Sequence, residues 1–156
     1  MQRRMRGLTA GEIMTREVVC LRGEQTVLEA TRTLVERGIS GAPVVDERGV
    51  LLGLVTEEDL LGAFYEEAPG IESETLERCH VLGAGLITRR VVAVRPEQRA
   101  HEIARAMIVR KIKRVPVVDA EGRVIGVVSR RDILRALADR ALAVPRTSEA
   151  GEPEGA

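Results

Sequence analysis

Displacing the chain by 73 positions lays one half on the other without a gap: Pro43 falls on Pro116, Asp46 on Asp119, Gly53 on Gly126 and Asp59 on Asp132. The match begins near Leu8 and Val81 and ends at Leu61 and Leu134. A repeated unit usually cannot bury its apolar face alone and docks on its twin. The two copies are therefore expected to form one compact body with approximate twofold symmetry, with any site where the copies meet. The division that follows is a first repeat at 8–61, a connector at 62–80, a second repeat at 81–143 and a tail at 144–156. After Pro145 that tail carries no large apolar residue and is expected to be disordered.

Each copy reads strand, helix, strand, strand, helix. Val18 to Leu21 and Val91 to Val94 are short runs rich in β-branched residues, as buried strands are. Val27, Ala30, Leu34 and Val35, and then Ala100, Ile103, Ala104, Met107 and Ile108, recur at helical spacing, which predicts helices over Glu24 to Arg37 and Glu97 to Arg110. Pro96 suits the start of the second of these, where a missing N–H is harmless, and Gly38 suits the end of the first. Ala42 to Asp46 and Val115 to Asp119 read as strands opened by Pro43 and Pro116. Asp46-Glu47-Arg48-Gly49 and Asp119-Ala120-Glu121-Gly122 favour hairpin turns into Leu51 to Val55 and Val124 to Val128. Helices over Glu57 to Tyr65 and Arg130 to Ala143 close the copies. The fold class is α/β, with a small mixed sheet and helices against it in each of two pseudo-twofold-related β-α-β-β-α repeats.

A chain of 156 residues can bury roughly 70% of its unfolded surface and needs no disulfide scaffold. Its two cysteines, Cys20 and Cys79, stand in no ligand spacing and suit a reducing, cytoplasmic compartment, with Cys20 expected in the core. Three arginines in Met1 to Gly7 are followed by no apolar run, and no stretch approaches the ~18 residues of a spanning helix, so no membrane insertion is expected. The formal net charge is zero, yet the halves differ: residues 8–61 hold 5 Arg/Lys against 10 Asp/Glu, or −5, and residues 81–134 hold 12 against 5, or +7. An acidic half joined to a basic half favours self-association with opposite halves facing, or an anion held on the basic half.

The segments ISGAPVVDERGVLLGLVTEEDLL (Ile39 to Leu61) and IKRVPVVDAEGRVIGVVSRRDIL (Ile112 to Leu134) resemble the cystathionine β-synthase (CBS) domain. In tandem they resemble a CBS pair, or Bateman module, across residues 8 to 143. The resemblance implies two repeats packed as one CBS-pair module that binds AMP, ADP, ATP or S-adenosylmethionine in clefts between the repeats and regulates a partner protein. It also implies a homodimer of modules, here a stand-alone sensor with no resident cofactor. The charge asymmetry adds that paired modules should lie antiparallel, acidic repeat against basic repeat.

The family's G-h-x-[ST]-x-x-D signature matches Gly53 to Asp59 and Gly126 to Asp132. A helix N-terminus presents N–H groups and a positive dipole end to an anion, the hydroxyl joins them, and an Asp one turn in can accept both ribose hydroxyls. The same spacing also fits an ordinary capping box. By resemblance, one cleft joins Ser129, Arg131 and Asp132 to Val19, Ile39, Ser40 and Pro43. The other joins Thr56 and Asp59 to Val92, Ile112, Lys113, Arg114 and Pro116. Arg130 and Arg131 favour phosphate in the first cleft. Glu57 and Glu58 make the second weaker, or better suited to a cationic ligand such as S-adenosylmethionine, although Lys113 and Arg114 partly offset them.

No catalytic or metal-binding motif is complete, so no enzyme activity is expected. Gly83-Ala84-Gly85 begins a GxG without its third glycine, and His101-Glu102 begins an HExxH in which Arg105 replaces the second histidine. Two alternatives differ in class from the nucleotide sensor. A nucleic-acid binder would use Arg89, Arg90, Arg110, Lys111, Lys113 and Arg114 on phosphates, but Phe64 and Tyr65 are the only aromatic residues and give no stacking platform. A dimerising scaffold would leave both clefts without ligand.

Overall fold

The computed structural model describes residues 7–66, 87, 88 and 91–143. Cys79, His80, Gly83 to Gly85, Arg89, Arg90, the connector from residue 67 and the tail lie outside the described residues. The chain opens with a single turn, α1 (Ala10–Ile13). The first repeat continues with β1 (Leu21–Arg22), α2 (Val27–Arg37), β2 (Gly41–Val45), β3 (Leu51–Thr56) and α3 (Glu57–Glu66). The second supplies α4 (Ala100–Arg110), β4 (Arg114–Val118), β5 (Val124–Ser129) and α5 (Arg130–Ala143).

β1 pairs parallel with β2 and β2 antiparallel with β3, which gives the mixed sheet the sequence implies. β4 and β5 repeat the hairpin, and a parallel bridge from Val94 to Val117 stands where β1 stands in the first copy. The first strand is shorter than Val18 to Leu21, because pairing with β2 reaches only Leu21 and Arg22. Cys20, next to it, is half-buried rather than core, and burial raises its thiol pKa, with Arg22 opposing.

Helix boundaries follow their caps. Thr26 and Glu29 form a reciprocal capping box, the Thr26 hydroxyl accepting from Glu29 N–H (3.1 Å) and the Glu29 carboxylate from Thr26 N–H (3.0 Å), so α2 starts after Glu24 and Gln25. α4 likewise begins at Ala100, so Pro96 precedes the helix rather than opening it, and its carbonyl instead accepts Gly11 N–H at 2.9 Å. Gly38 ends α2 at φ +61, and its counterpart Lys111 takes the same left-handed turn at φ +54. For a residue with a Cβ that conformation costs about 1–2 kcal/mol, partly offset by N–H bonds from Lys111 and Ile112 to Met107 O.

Both hairpins turn on an Asp. The Asp46 carboxylate accepts from Arg48 N–H (2.8 Å) and Val50 N–H (2.9 Å), and Asp119 does the same for Glu121 (3.0 Å) and Arg123 (2.9 Å). The Val50 N–H, foremost, holds the Asp46 carboxyl below its ordinary range. The two turns then bond to each other, Leu51 N–H to Gly122 O and Val124 N–H to Gly49 O, both at 3.0 Å, so the pseudo-twofold axis passes between them.

Pro43 and Pro116 sit in the middle of β2 and β4 rather than at their first residue. No ladder bond is lost. Opposite Pro43, Leu54 turns its N–H and C=O to Thr88 (3.0 and 2.9 Å), and opposite Pro116, Val127 turns both to Thr15 (3.0 and 2.9 Å). The prolines therefore occupy non-hydrogen-bonded pairs that ask for no N–H.

Those bonds also exchange material between the copies. Thr15, from the first repeat, extends the second repeat's hairpin, and Thr88, from the second, extends the first's. The cores follow. Ala10 is fully buried with Val94, Ala100, Ile103, Met107, Val115, Val117, Val128 and Ile133, with Leu8, Ile13 and Met14 packed against them. Ile87 is buried in the other core, with Leu21, Val27, Leu34, Val44, Val55 and Leu60. Each core is closed by a segment numbered with the opposite repeat.

Candidate functional site

The signature residues sit at the junction of each hairpin with its last helix. Thr56 N–H donates to Asp59 Oδ2 (2.8 Å), as does the Thr56 hydroxyl (2.9 Å), and Asp59 N–H returns to Thr56 Oγ1 (3.3 Å). Ser129 N–H donates to Asp132 Oδ2 (2.9 Å) and Asp132 N–H to Ser129 Oγ (3.1 Å). Both are capping boxes with Asp in place of Glu, which fixes each carboxylate one turn into its helix. The first N–H of each helix is also occupied: Glu57 N–H bonds Ser40 O (2.9 Å) and Arg130 N–H bonds Lys113 O (3.1 Å). These bonds tie the turn before each proline-bearing strand to the start of the same repeat's last helix.

The remaining carboxylate oxygens distinguish the two sites. Asp132, only 8% exposed, receives the Thr15 hydroxyl on Oδ1 at 3.1 Å. Asp59 Oδ1 has no donor among the described residues. Thr15 was not among the residues singled out from the sequence, although it falls on Thr88 in the 73-residue register. Its contact brings a first-repeat side chain to Asp132 of the second repeat.

Val19, Val92, Ile39 and Ile112 are half-buried, which leaves part of each apolar surface open. Pro43 and Pro116 are buried. Arg131 and Lys113 are exposed, while Arg130 turns its Nε back to Ile112 O at 3.2 Å. Arg114 and Ser40, placed by sequence in different clefts, touch one another: Arg114 Nη2 donates to Ser40 Oγ. The pseudo-equivalent of Arg114 is Gly41, and the guanidinium lies over it, in space that a Cβ on Gly41 would occupy. Arg114 Nη1 is buried there with no hydrogen-bond partner among the described residues, and burial draws the guanidinium pKa down while Glu57 opposes that shift. This contact also takes Arg114 away from the basic face, leaving Arg110, Lys111 and Lys113 as its exposed members among the described residues.

Among the described residues no group of three His, Cys, Asp or Glu side chains could hold a metal ion, and no helix is long and apolar enough to cross a membrane. His101 lies in α4 with Nδ1 buried and without a hydrogen-bond partner among the described residues.

The CBS domain family model matches residues 10–66 and 84–139. Protein MJ1225 of Methanocaldococcus jannaschii is 31% identical over 126 residues, covering 81% of this chain and 41% of that protein. Across the first curated relatives the chain spans between 23% and 63% of their lengths. The crystal structure of CBSX2 in complex with AMP superposes with a TM-score of 0.73 at 32% identity, over 85% of this chain and 98% of that one. The CBS domain pair of protein MJ0100, in complex with 5′-methylthioadenosine and S-adenosyl-L-methionine, gives 0.70 at 25% identity, over 85% and 97%. With the repeats, the exchanged segments and the paired Ser/Thr-Asp helix starts in place, the chain belongs to the CBS domain family, as a tandem CBS pair.

Proposed function

We propose that this module binds adenosine-containing ligands between its repeats and passes their occupancy to a partner protein. The observation that carries the reading is the pair of carboxylates, Asp59 and Asp132, each held by its capping box, with Asp132 also touched by Thr15 of the first repeat. A fixed carboxylate is a strong acceptor for vicinal hydroxyls, and bonds to a charged group contribute roughly 1.5–3 kcal/mol each. The AMP held by CBSX2 and the S-adenosyl-L-methionine held by the MJ0100 pair support the same ligand class. At the Ser129 cleft the neighbours Arg130 and Arg131 favour phosphate, and the Thr15 hydroxyl rotates off Asp132 as ribose arrives. A ligand that contacts both repeats favours one relative arrangement of them by its difference in affinity, and that difference is the signal.

Thermal unfolding with AMP, ADP, ATP and S-adenosylmethionine tests this, because a ligand bound only to the folded state stabilises it by about 2.7 kcal/mol at a hundredfold excess over Kd. A rise in Tm with a phosphate-bearing ligand, lost in Asp132→Ala and largely kept in Asp59→Ala, is the expected result. No rise with any of the four overturns the reading in favour of a scaffold.

We further propose a homodimer. Val35 (75% exposed) and Leu61 (66%) on α2 and α3 repeat at Ile108 (78%) and Leu134 (63%) on α4 and α5, so each repeat turns an apolar helix face outward. Exposed Glu57 and Glu58 flank the first face, and exposed Arg130 and Arg131 flank the second. A twofold dimer that sets the first face of one copy on the second of the other pairs opposite charges at both contacts, whereas a parallel one opposes like charges twice. Light scattering should give twice the chain mass, with Leu134→Asp shifting it toward the monomer. Small-angle scattering or a crystal that shows parallel modules refutes the orientation.

A further inference from the structure

We propose that Arg114 is shared between the two clefts and makes their occupancy by phosphate-bearing ligands anticooperative; the inference rests on the nucleotide reading above. The residue belongs to both sides by construction. Its backbone pairs with Ser129 at the start of β4, while its side chain crosses to the first repeat, where Nη2 donates to Ser40 and Nη1 lies beside Gly41 near Thr56. A Cβ at Gly41 would stand 2.9 Å from Val55 O and 3.3 Å from Thr56 Cα, so only a glycine leaves this place to an incoming guanidinium. The twofold relation of Gly41 to Arg114 means that one repeat brings the cation and the other the space. Arg114 therefore has no arginine twin, and the two clefts share its one guanidinium instead of holding one each at this position.

At rest that guanidinium is poorly satisfied. One partner is a neutral hydroxyl, and Nη1 has none among the described residues. A buried unpaired donor is costly and charge-assisted bonds to phosphate are stronger than those to a hydroxyl, so an anion in either cleft draws the side chain toward itself. At the Thr56 cleft it also offsets the glutamate Glu57 that opens α3. Once committed to one phosphate, the fork no longer serves the other, and the second ligand binds to a cleft that lacks this guanidinium. Linkage makes the effect equal in both directions.

Calorimetric titration with AMP and with adenosine tests the proposal. Asp59→Ala and Asp132→Ala first give the AMP affinity of each cleft alone. In the unmodified chain the second AMP should then bind weaker than in the matching single-cleft variant by on the order of 5- to 10-fold. Adenosine, which has no phosphate, should show no such separation, and Arg114→Gln should remove it for AMP. Ser40→Ala, a milder change, should tighten AMP at the Asp59 cleft several-fold by releasing the guanidinium to it. Independent AMP sites, a stoichiometry of one per chain, or anticooperativity that persists in Arg114→Gln overturns the sharing of Arg114 while leaving the nucleotide reading intact. No binding of AMP or adenosine to any of these proteins overturns both.

Discussion

A chain that starts at Arg16 loses the second repeat, not the first. The missing turn α1 and its flanks contribute Ala10, fully buried, and the packed side chains of Leu8, Ile13 and Met14 to a core otherwise built from residues numbered 92 and above. They also supply five backbone bonds to the second repeat: Ala10 N–H to Gln98 O (2.8 Å), Gly11 N–H to Pro96 O (2.9 Å), Ala100 N–H to Leu8 O (2.8 Å), and the pair between Thr15 and Val127 (2.9 and 3.0 Å). A large apolar side chain contributes about 1.5–3 kcal/mol when fully buried. Three partly buried ones, with the alanine and the bonds, amount to on the order of 5 kcal/mol, comparable to the lower end of a domain's whole stability. Hydrogen exchange reads the outcome by residue. Amides of Val115, Val117 and Val128 should lose protection far more than those of Val44 and Val55, and Asp132, without Thr15, should lose its cross-repeat contact. Equal loss in both repeats, or none, contradicts the exchange of segments as the source of stability.

The sequence already carried the local features. Asp46 and Gly49, with Asp119 and Gly122, announce hairpins because an Asp carboxylate and a left-handed glycine close a turn within five residues, whatever lies elsewhere in the chain. Thr56/Asp59 and Ser129/Asp132 were legible for the same reason: their partners are three residues away. The helix that follows Thr26 starts later than periodicity alone implies, since a capping box and not the first polar residue sets the boundary.

Nonlocal features were not legible. A 73-residue register says which positions are equivalent, but not which twin a segment packs against, so nothing in Leu8 to Thr15 discloses that its core is the second repeat's. Thr15 escaped notice as a neighbour of Asp132 on that account. The meeting of Arg114 with Ser40 depends on side-chain reach into room left by Gly41, a relation between two unlike residues at equivalent positions that an alignment of the repeats records only as a mismatch. That Asp132 Oδ1 receives the Thr15 hydroxyl, while Asp59 Oδ1 has no donor among the described residues, is equally invisible in two copies of one signature.

The twin glycines at Gly53 and Gly126 should respond unequally to the same change. At each, the exchanged segment of the opposite repeat crosses so closely that an added Cβ meets it. On Gly53 the Cβ would lie 2.6 Å from the Thr88 carbonyl oxygen and against Ile87, itself buried in that core. The carbonyl cannot retreat cheaply, for it accepts Leu54 N–H at 3.0 Å. On Gly126 the nearest atoms belong to the Met14 side chain, with Cγ at 2.8 Å and Cβ at 3.1 Å, and an unbranched thioether can swing aside. Overpacking costs about 1–3 kcal/mol and a lost backbone bond about 1 more, so Gly53→Ala should cost roughly 3 kcal/mol and Gly126→Ala roughly 1. At about 2–4 °C per kcal/mol for a chain of this size, the first lowers Tm on the order of 10 °C and the second by only a few. Met14→Ala should relieve most of the Gly126→Ala penalty, since it removes Sδ and Cγ and leaves only Cβ, at 3.1 Å, while truncating Ile87 should leave most of the Gly53→Ala penalty in place because the carbonyl remains. Equal penalties at the two glycines would mean that side chains, and not the Thr88 backbone, limit how closely the repeats dock.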